Sequence, residues 1–239
     1  MLLTDFKVLS FDCYGTLVDW ETGIWNALAP LVASGANVDR ETALQTFGAI
    51  EAEQEHETPG LLYRDILMRV HAKLARTWNV ASNAQLDKSF GASIGDWPAF
   101  ADTGATLAYL KRHYKLVILS NVDRLSFAAT NKRLGTSFDA ICTAEDIGTY
   151  KPDPKNFDYL VARVRELGHD KSEILHTAQS LYHDHAPAER LGIARCWINR
   201  RGDKGTGSGA TKAVSHMPKL HFEFPTLAAM AEAHRREIA

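Results

Sequence analysis

The chain has 239 residues, 45% of them hydrophobic, which suits one large domain or a core carrying an insertion. Its 27 basic and 29 acidic residues leave a formal net charge of −2, so nothing in the overall charge marks a nucleic-acid or membrane partner, and a small molecule is expected instead. Cys13, Cys142 and Cys196 lie far apart in the chain, a pattern of reduced core thiols rather than a disulfide framework. With no basic, apolar leader and no run of about 18 apolar residues, a cytoplasmic location is expected.

The apolar run from Phe6 to Leu9 reads as a buried strand, which places Asp12 where the strand ends and the chain turns at Gly15. Taken alone, an Asp there is a turn former or helix cap. The mouth of a parallel sheet, however, is also where ligands collect in open α/β folds. From about Glu21 to Leu86 the apolar spacing becomes helical, interrupted at Thr58-Pro59-Gly60 and resuming through Leu61, Leu62, Ile66, Met68, Val70 and Leu74. Strand signals return at Lys115 to Leu119, Phe138 to Cys142, Ile174 to Thr177 and Ala194 to Ile198, with helical segments such as Phe157 to Leu167 and Ala186 to Leu191 between them. Strands alternating with helices imply an α/β fold with a Rossmann-like parallel sheet joined by right-handed crossovers. The helical block before the second strand is too long for a crossover, so residues 17–97 are expected to form an inserted helical cap on a core of residues 1–16 and 98–239. Arg201 to Ala210, with four glycines, lacks the Gly-Lys-Ser/Thr ending of a phosphate loop and reads as a mobile surface loop.

Several residues carry potential chemistry. An aspartate such as Asp12 can attack carbon or phosphorus and form an ester, which a second carboxylate then helps water to open. Asp184, beyond the strand Ile174 to Thr177, occupies the matching position. Ser120 and Asn121 follow the second core strand, and Lys151 is framed by Tyr150 and Pro152-Asp153-Pro154, which restrains the local backbone. His183 and His185 flank Asp184, but alternation on an extended segment would send them apart, against a metal role. Trp20 and Trp25 could line a pocket or simply pack the helical block.

Asp12-Cys13-Tyr14-Gly15-Thr16-Leu17, Ser120-Asn121, Lys151-Pro152 and the segment His176 to Asp184 together resemble, in order, the motifs of the haloacid dehalogenase superfamily. That resemblance implies Asp12 as nucleophile, Lys151 as the cation that keeps it ionised, and Asp184 as the residue that positions the hydrolytic water. It further implies substrate contacts from Tyr14, Thr16, Ser120, Asn121, Gln179 and Ser180, with Ser120 on a substrate carboxylate and Asn121 on the departing halide. Phosphatases of the superfamily carry a second acid two residues after the nucleophile and another at the place of Gln179; here these are Tyr14 and Gln179. A tyrosine, with an ordinary pKa near ~10, protonates an alkoxide poorly, and a halide needs no proton. Loss of an acid at Gln179 also weakens a Mg²⁺ site.

The expectation is therefore a metal-free, cofactor-free hydrolase of short 2-haloalkanoic acids, resembling the L-2-haloacid dehalogenases. The alternative is a Mg²⁺-dependent phosphatase acting on a small phosphate ester. The chain departs from the dehalogenases too: aligned on Asp184, Gln179 and Leu181 stand at their Ser and Asn, Phe157 stands where a Tyr is usual, and the Trp-Arg-x-Lys-Gln stretch of their cap is absent. Arg64 is the expected substitute for that arginine. The resemblance also implies a homodimer formed through core and cap helices.

Overall fold

The computed structural model describes residues 1–202, 210 and 214–239. The glycine-rich stretch 203–209, read above as a mobile loop, lies outside the described residues. Among the described residues, six parallel strands form one sheet in the order β3-β2-β1-β4-β5-β6. These strands are β1 (Val8–Phe11), β2 (Lys115–Ser120), β3 (Ala140–Thr143), β4 (Ile174–Ala178), β5 (Ala194–Ile198) and β6 (Phe222–Phe224). The architecture is the expected α/β sheet with helices on both faces.

Period-2 alternation divides the strand residues between two apolar layers. Leu9 and Phe11 of β1 join Leu116, Ile118 and Leu175 in one layer. Val8 joins Val117, Leu119 and Ile174 in the other. Ser10 shares Val8's face, and the next residue of that parity is Asp12, just beyond the strand end. The expected strand Phe6–Leu9 is displaced by two residues. Ladder pairing with β2 and β4 runs over Val8–Phe11, while Phe6 precedes it and packs its ring edge against Phe222.

Between β1 and β2 the chain forms α1 (Trp20–Ala27), α2 (Ala29–Ala33), α3 (Arg40–Glu57), α4 (Tyr63–Thr77) and α5 (Ala84–Ala92). Helix α4 buries Ile66, Leu67, Val70, His71, Leu74 and Ala75, an i, i+3, i+4 stripe that meets α3 and α5. Helix α3 starts at Asp39, whose carboxylate accepts the Thr42 amide at 3.0 Å. Its buried stripe begins with Ala43, Leu44, Phe47 and Gly48 and continues, on the same face, with Glu51, Gln54 and Glu55. Acids on an inward stripe are unusual and bear on the site below. Helix α1 approaches the chain before β2 closely at Gly23, where a Cβ would lie 2.3 Å from Trp97 Cγ.

Helices α6 (Thr103–Leu110), α7 (Arg124–Leu134), α8 (Ala144–Ile147), α9 (Lys155–Glu166) and α10 (Ala186–Arg190) fill the later crossovers, and α11 (Leu227–Ile238) closes the chain. Strand β6 and α11 have no counterpart in the sequence reading. Glu237 of α11 accepts the amides of Leu3 and Thr4 at 3.0 and 2.9 Å, tying the two ends of the chain together. Among the described residues, no helix is long and apolar enough to cross a membrane. Cys13, Cys142 and Cys196 are free and buried.

Candidate active site

Beyond β1 the backbone folds back on itself. The amides of Leu17 and Val18 both donate to Cys13 O, at 2.8 and 3.0 Å, and Gly15 takes φ +92°. That left-handed turn, which glycine adopts without a Cβ penalty, brings Thr16 round so that its hydroxyl donates to Asp12 Oδ2 at 2.7 Å. Thr16 Oγ1 also accepts the Gln179 amide at 2.9 Å, which joins the ends of β1 and β4.

Lys151 reaches the same point from the loop after α8. Its Nζ donates to Asp12 Oδ1 at 2.9 Å, Asp184 Oδ1 at 2.7 Å and Leu119 O at 3.1 Å. These three bonds use all three ammonium protons. Asn121 positions the lysine backbone: its Oδ1 accepts the Lys151 amide at 2.7 Å, and its Nδ2 donates to Lys151 O at 3.1 Å. Asp184 lies on a wide helical turn, Leu181–His185, directly preceding α10. The extended geometry assumed for His183 and His185 is thus replaced by a helical one. His185 is buried, its Nε2 2.9 Å from Ala178 O, whereas His183 turns toward the cavity described below. Behind Asp184, His176 donates from Nε2 to Oδ1 at 2.9 Å, and its Nδ1 lies 2.8 Å from Ser10 Oγ.

The charges are strongly coupled. Burial disfavours the Lys151 ammonium, but Asp12 and Asp184 outweigh it and raise the lysine above its usual range. Burial also works against the Asp184 carboxylate, yet Lys151 and His176 hold it well below the ordinary value. Asp12 moves the other way: burial raises it, Lys151 pulls it down, and the Asp184 charge pushes it up again.

These groups face a cavity of about 40 Å³. Asp12, Ser120, Lys151 and Asp184 form its floor at the strand ends, with Asn121, Gln179 and Ser180 beside them. Trp20, Glu51, Glu55 and Tyr63 close it from the helical block. Tyr14 also lines it, with its hydroxyl 2.9 Å from Thr130 Oγ1. Two buried oxygens on the floor, Ser120 Oγ and Asp184 Oδ2, have no hydrogen-bond partner among the described residues. Glu55, Lys151 and His183 also border a neighbouring cavity of about 450 Å³.

Most of the residues singled out from the sequence converge here, but three differ from expectation. Arg64 does not line the cavity: its guanidinium lies 3.6 Å from the buried carboxylate of Asp123, which also accepts the Arg64 amide at 3.2 Å. Thr16 is fully buried, and its hydroxyl is committed to Asp12 rather than facing a ligand. Asn121 lines the cavity, but its Nδ2 is committed to Lys151 O and to the Glu55 carboxyl oxygens at 3.3 Å, which opposes the halide contact expected of it. Trp20 lines the cavity, while Trp25 packs only against the core.

Glu51, Glu55, Tyr63 and His176 were not identified from the sequence. For the two glutamates the signal was available, because they extend the apolar stripe of α3 at helical spacing. His176 lies within an apolar run and carries no signal of its own.

A divalent cation suits this donor set poorly. The two strand-end carboxylates already share the Lys151 ammonium, and Gln179 beside them is neutral. Among the described residues, no group of three or more His, Cys, Asp or Glu side chains is arranged to hold a metal.

The model of the haloacid dehalogenase-like hydrolases matches residues 6–177. An (S)-2-haloacid dehalogenase of Pseudomonas putida is 32% identical over 105 residues, a match that spans 43% of this chain and 44% of that relative. The (S)-2-haloacid dehalogenase 4A of Burkholderia cepacia is 25% identical over 210 residues, covering 84% of this chain and 87% of that one. In fold, the chain is similar to the L-2-haloacid dehalogenase of Xanthobacter autotrophicus solved with chloropropionic acid covalently bound, at a TM-score of 0.80 and 17% identity over 96% of this chain and 98% of the other. With a family match across most of its length and a carboxylate, lysine and second carboxylate meeting at the strand ends, the chain belongs to the haloacid dehalogenase-like hydrolases.

Proposed function

We propose that this hydrolase cleaves the carbon–halogen bond of short 2-haloalkanoic acids through an ester on Asp12, without a metal. The observation that carries this reading is the arrangement of Asp12 at the cavity floor, one oxygen held by Lys151 and the other by Thr16, opposite the unpartnered Oδ2 of Asp184. The relatives named above add support for the substrate class.

In the first step an Asp12 oxygen attacks C2 in line. A C–O bond forms, the C–X bond breaks, and halide leaves with the bonding pair. Lys151 stays protonated throughout, and its hydrogen bond to Oδ1 orients the attacking carboxylate. In the second step water attacks the ester carbonyl, the alkoxyl leaves as the 2-hydroxy acid, and Asp12 is regenerated with release of one proton. Asp184 Oδ2 orients that water. Held strongly acidic by Lys151 and His176, Asp184 serves better as an orienting acceptor than as a strong base. The Ser120 hydroxyl is available for the substrate carboxylate. The helical block of residues 17–97 acts as a cap, excluding water while the ester exists.

The test is halide release from 2-chloropropionate in chelator by the wild type and by Asp12→Asn, with intact-mass detection of the ester in a brief reaction. Release by the wild type alone, with one 1-carboxyethyl group from the substrate added to the chain, is the expected result. A strict Mg²⁺ requirement, or no release at all, overturns the reading.

A further inference from the structure

A cavity that receives a carboxylate ordinarily offers it a cation, and this one does not do so in the usual way. Among the described residues its basic groups are Lys151 and His183, and no arginine lines it. The Lys151 ammonium is fully engaged with Asp12, Asp184 and Leu119 O. The helical block instead presents two carboxyl groups, Glu51 and Glu55, one helical turn apart on α3 and both almost completely buried.

Their surroundings are unequal. Glu51 accepts a short hydrogen bond from the Tyr63 hydroxyl, an arrangement that favours its ionised form. Glu55 receives only two long contacts from Asn121 Nδ2, at 3.3 Å each. Two neighbouring buried carboxyls cannot both ionise cheaply, so one proton stays with the pair, as in other acid dyads. We propose that Glu55 is held as a neutral carboxylic acid by its partner Glu51, and that its O–H donates to the substrate carboxylate together with Ser120 Oγ. Ser120 is 1% exposed, lines the same cavity and has an unpartnered hydroxyl, which marks the cavity as incomplete without a polar ligand. Glu55 also borders the larger neighbouring cavity.

The titration behaviour agrees with this division of roles. Burial raises Glu51 to about 7, with the Tyr63 bond opposing. Burial, then the charge of Glu51, raise Glu55 well above the ordinary carboxyl range, against weaker pulls from Lys151 and Asn121. A buried acid kept neutral so that it can donate a hydrogen bond is an established catalytic device. Among the described residues, the other titratable or charged groups that face or act on the pair are Tyr63 from α4, and Tyr14, Asp12, Tyr150, Lys151, His183 and Asp184 from the core.

The inference rests on the 2-haloalkanoic acid reading for its choice of ligand, and it is tested separately from it. Infrared difference spectra at neutral pH, wild type against Glu55→Gln, are expected to show a protonated carboxyl C=O band that the variant lacks and that shifts when propionate is added. Propionate has no leaving group, so this readout does not depend on turnover. For 2-chloropropionate, KM of the wild type is expected to rise by about tenfold or more as Glu55 loses its proton, while kcat changes less. Glu55→Gln keeps a neutral donor, so its KM stays low and flat over the same range. Glu51→Gln removes the charge that keeps Glu55 protonated and moves the rise in KM to lower pH. Absence of the carboxyl band, a band that propionate leaves unmoved, or a KM indifferent to both pH and Glu55→Gln overturns the inference. Halide release can fail while the propionate-sensitive band persists, and that combination overturns the proposed function alone.

Discussion

Replacing Lys151 with Met removes the ammonium and keeps much of the side chain's volume, so the loss is chiefly electrostatic. In the folded protein that ammonium is buried and lies 2.9 Å from Asp12 and 2.7 Å from Asp184. At those distances and an effective dielectric of about 20, each attraction is worth about 6 kcal/mol before desolvation is counted. Desolvation of all three charges offsets most of this, and the net cost of removing one partner from such a buried set is about 3–5 kcal/mol. Lys151→Met therefore costs about 3–5 kcal/mol at neutral pH, because two carboxylates are left buried without their counter-charge.

The pH dependence of that cost follows from the sign of the shifts. In the wild type, the depressed Asp184 contributes stability at neutral pH that is lost as pH falls through its folded value. In Lys151→Met both carboxyls are raised instead, so acid neutralises them and relieves the penalty. Urea unfolding of the two proteins at neutral pH and at mildly acidic pH measures the difference, which is expected to be large in the first condition and to shrink in the second. A variant as stable as the wild type at neutral pH, or a difference that grows on acidification, refutes the electrostatic account. Halide release by the variant is lost in either condition.

Gly15→Ala places a Cβ at φ +92°, 3.1 Å from Trp20 Nε1 and 3.3 Å from Gln179 Oε1. Thermal or urea unfolding should show a loss of about 1–2 kcal/mol from the backbone conformation alone, and steady-state kinetics a lower kcat, because the turn carries Thr16 to Asp12. Since burial and the Asp184 charge raise Asp12 above its ordinary 3.8, and attack needs its ionised form, the acid limb of kcat/KM should have its midpoint above that value. A midpoint at or below it refutes the assignment of the limb to Asp12.

The positions of Asp12, Lys151 and Asp184 were legible in the chain because each lies at or beyond the end of an apolar run, and their convergence is seen in the folded site. Asp12 follows an apolar run and precedes a glycine turn, Lys151 directly precedes Pro152-Asp153-Pro154, and Asp184 follows another buried strand. Short apolar runs alternating with helical segments likewise pointed to the parallel sheet, since such units pair in parallel through right-handed crossovers. Other features are decided only when distant segments meet. Arg64 sits on the expected helix, but the buried carboxylate of Asp123, 59 residues away, accepts its backbone amide and lies beside its guanidinium. Asn121 lies just past the predicted strand, yet the backbone of Lys151 and the carboxyl of Glu55 take up its amide. Glu51 and Glu55 continue the apolar stripe of α3, but only the folding of α3 over the sheet buries both carboxyls at one cavity. Local pattern determines which backbone each segment adopts, because it reflects short-range sterics and burial period. Which charges meet, and which protons they keep, depends on distances and desolvation that exist only in the assembled tertiary structure.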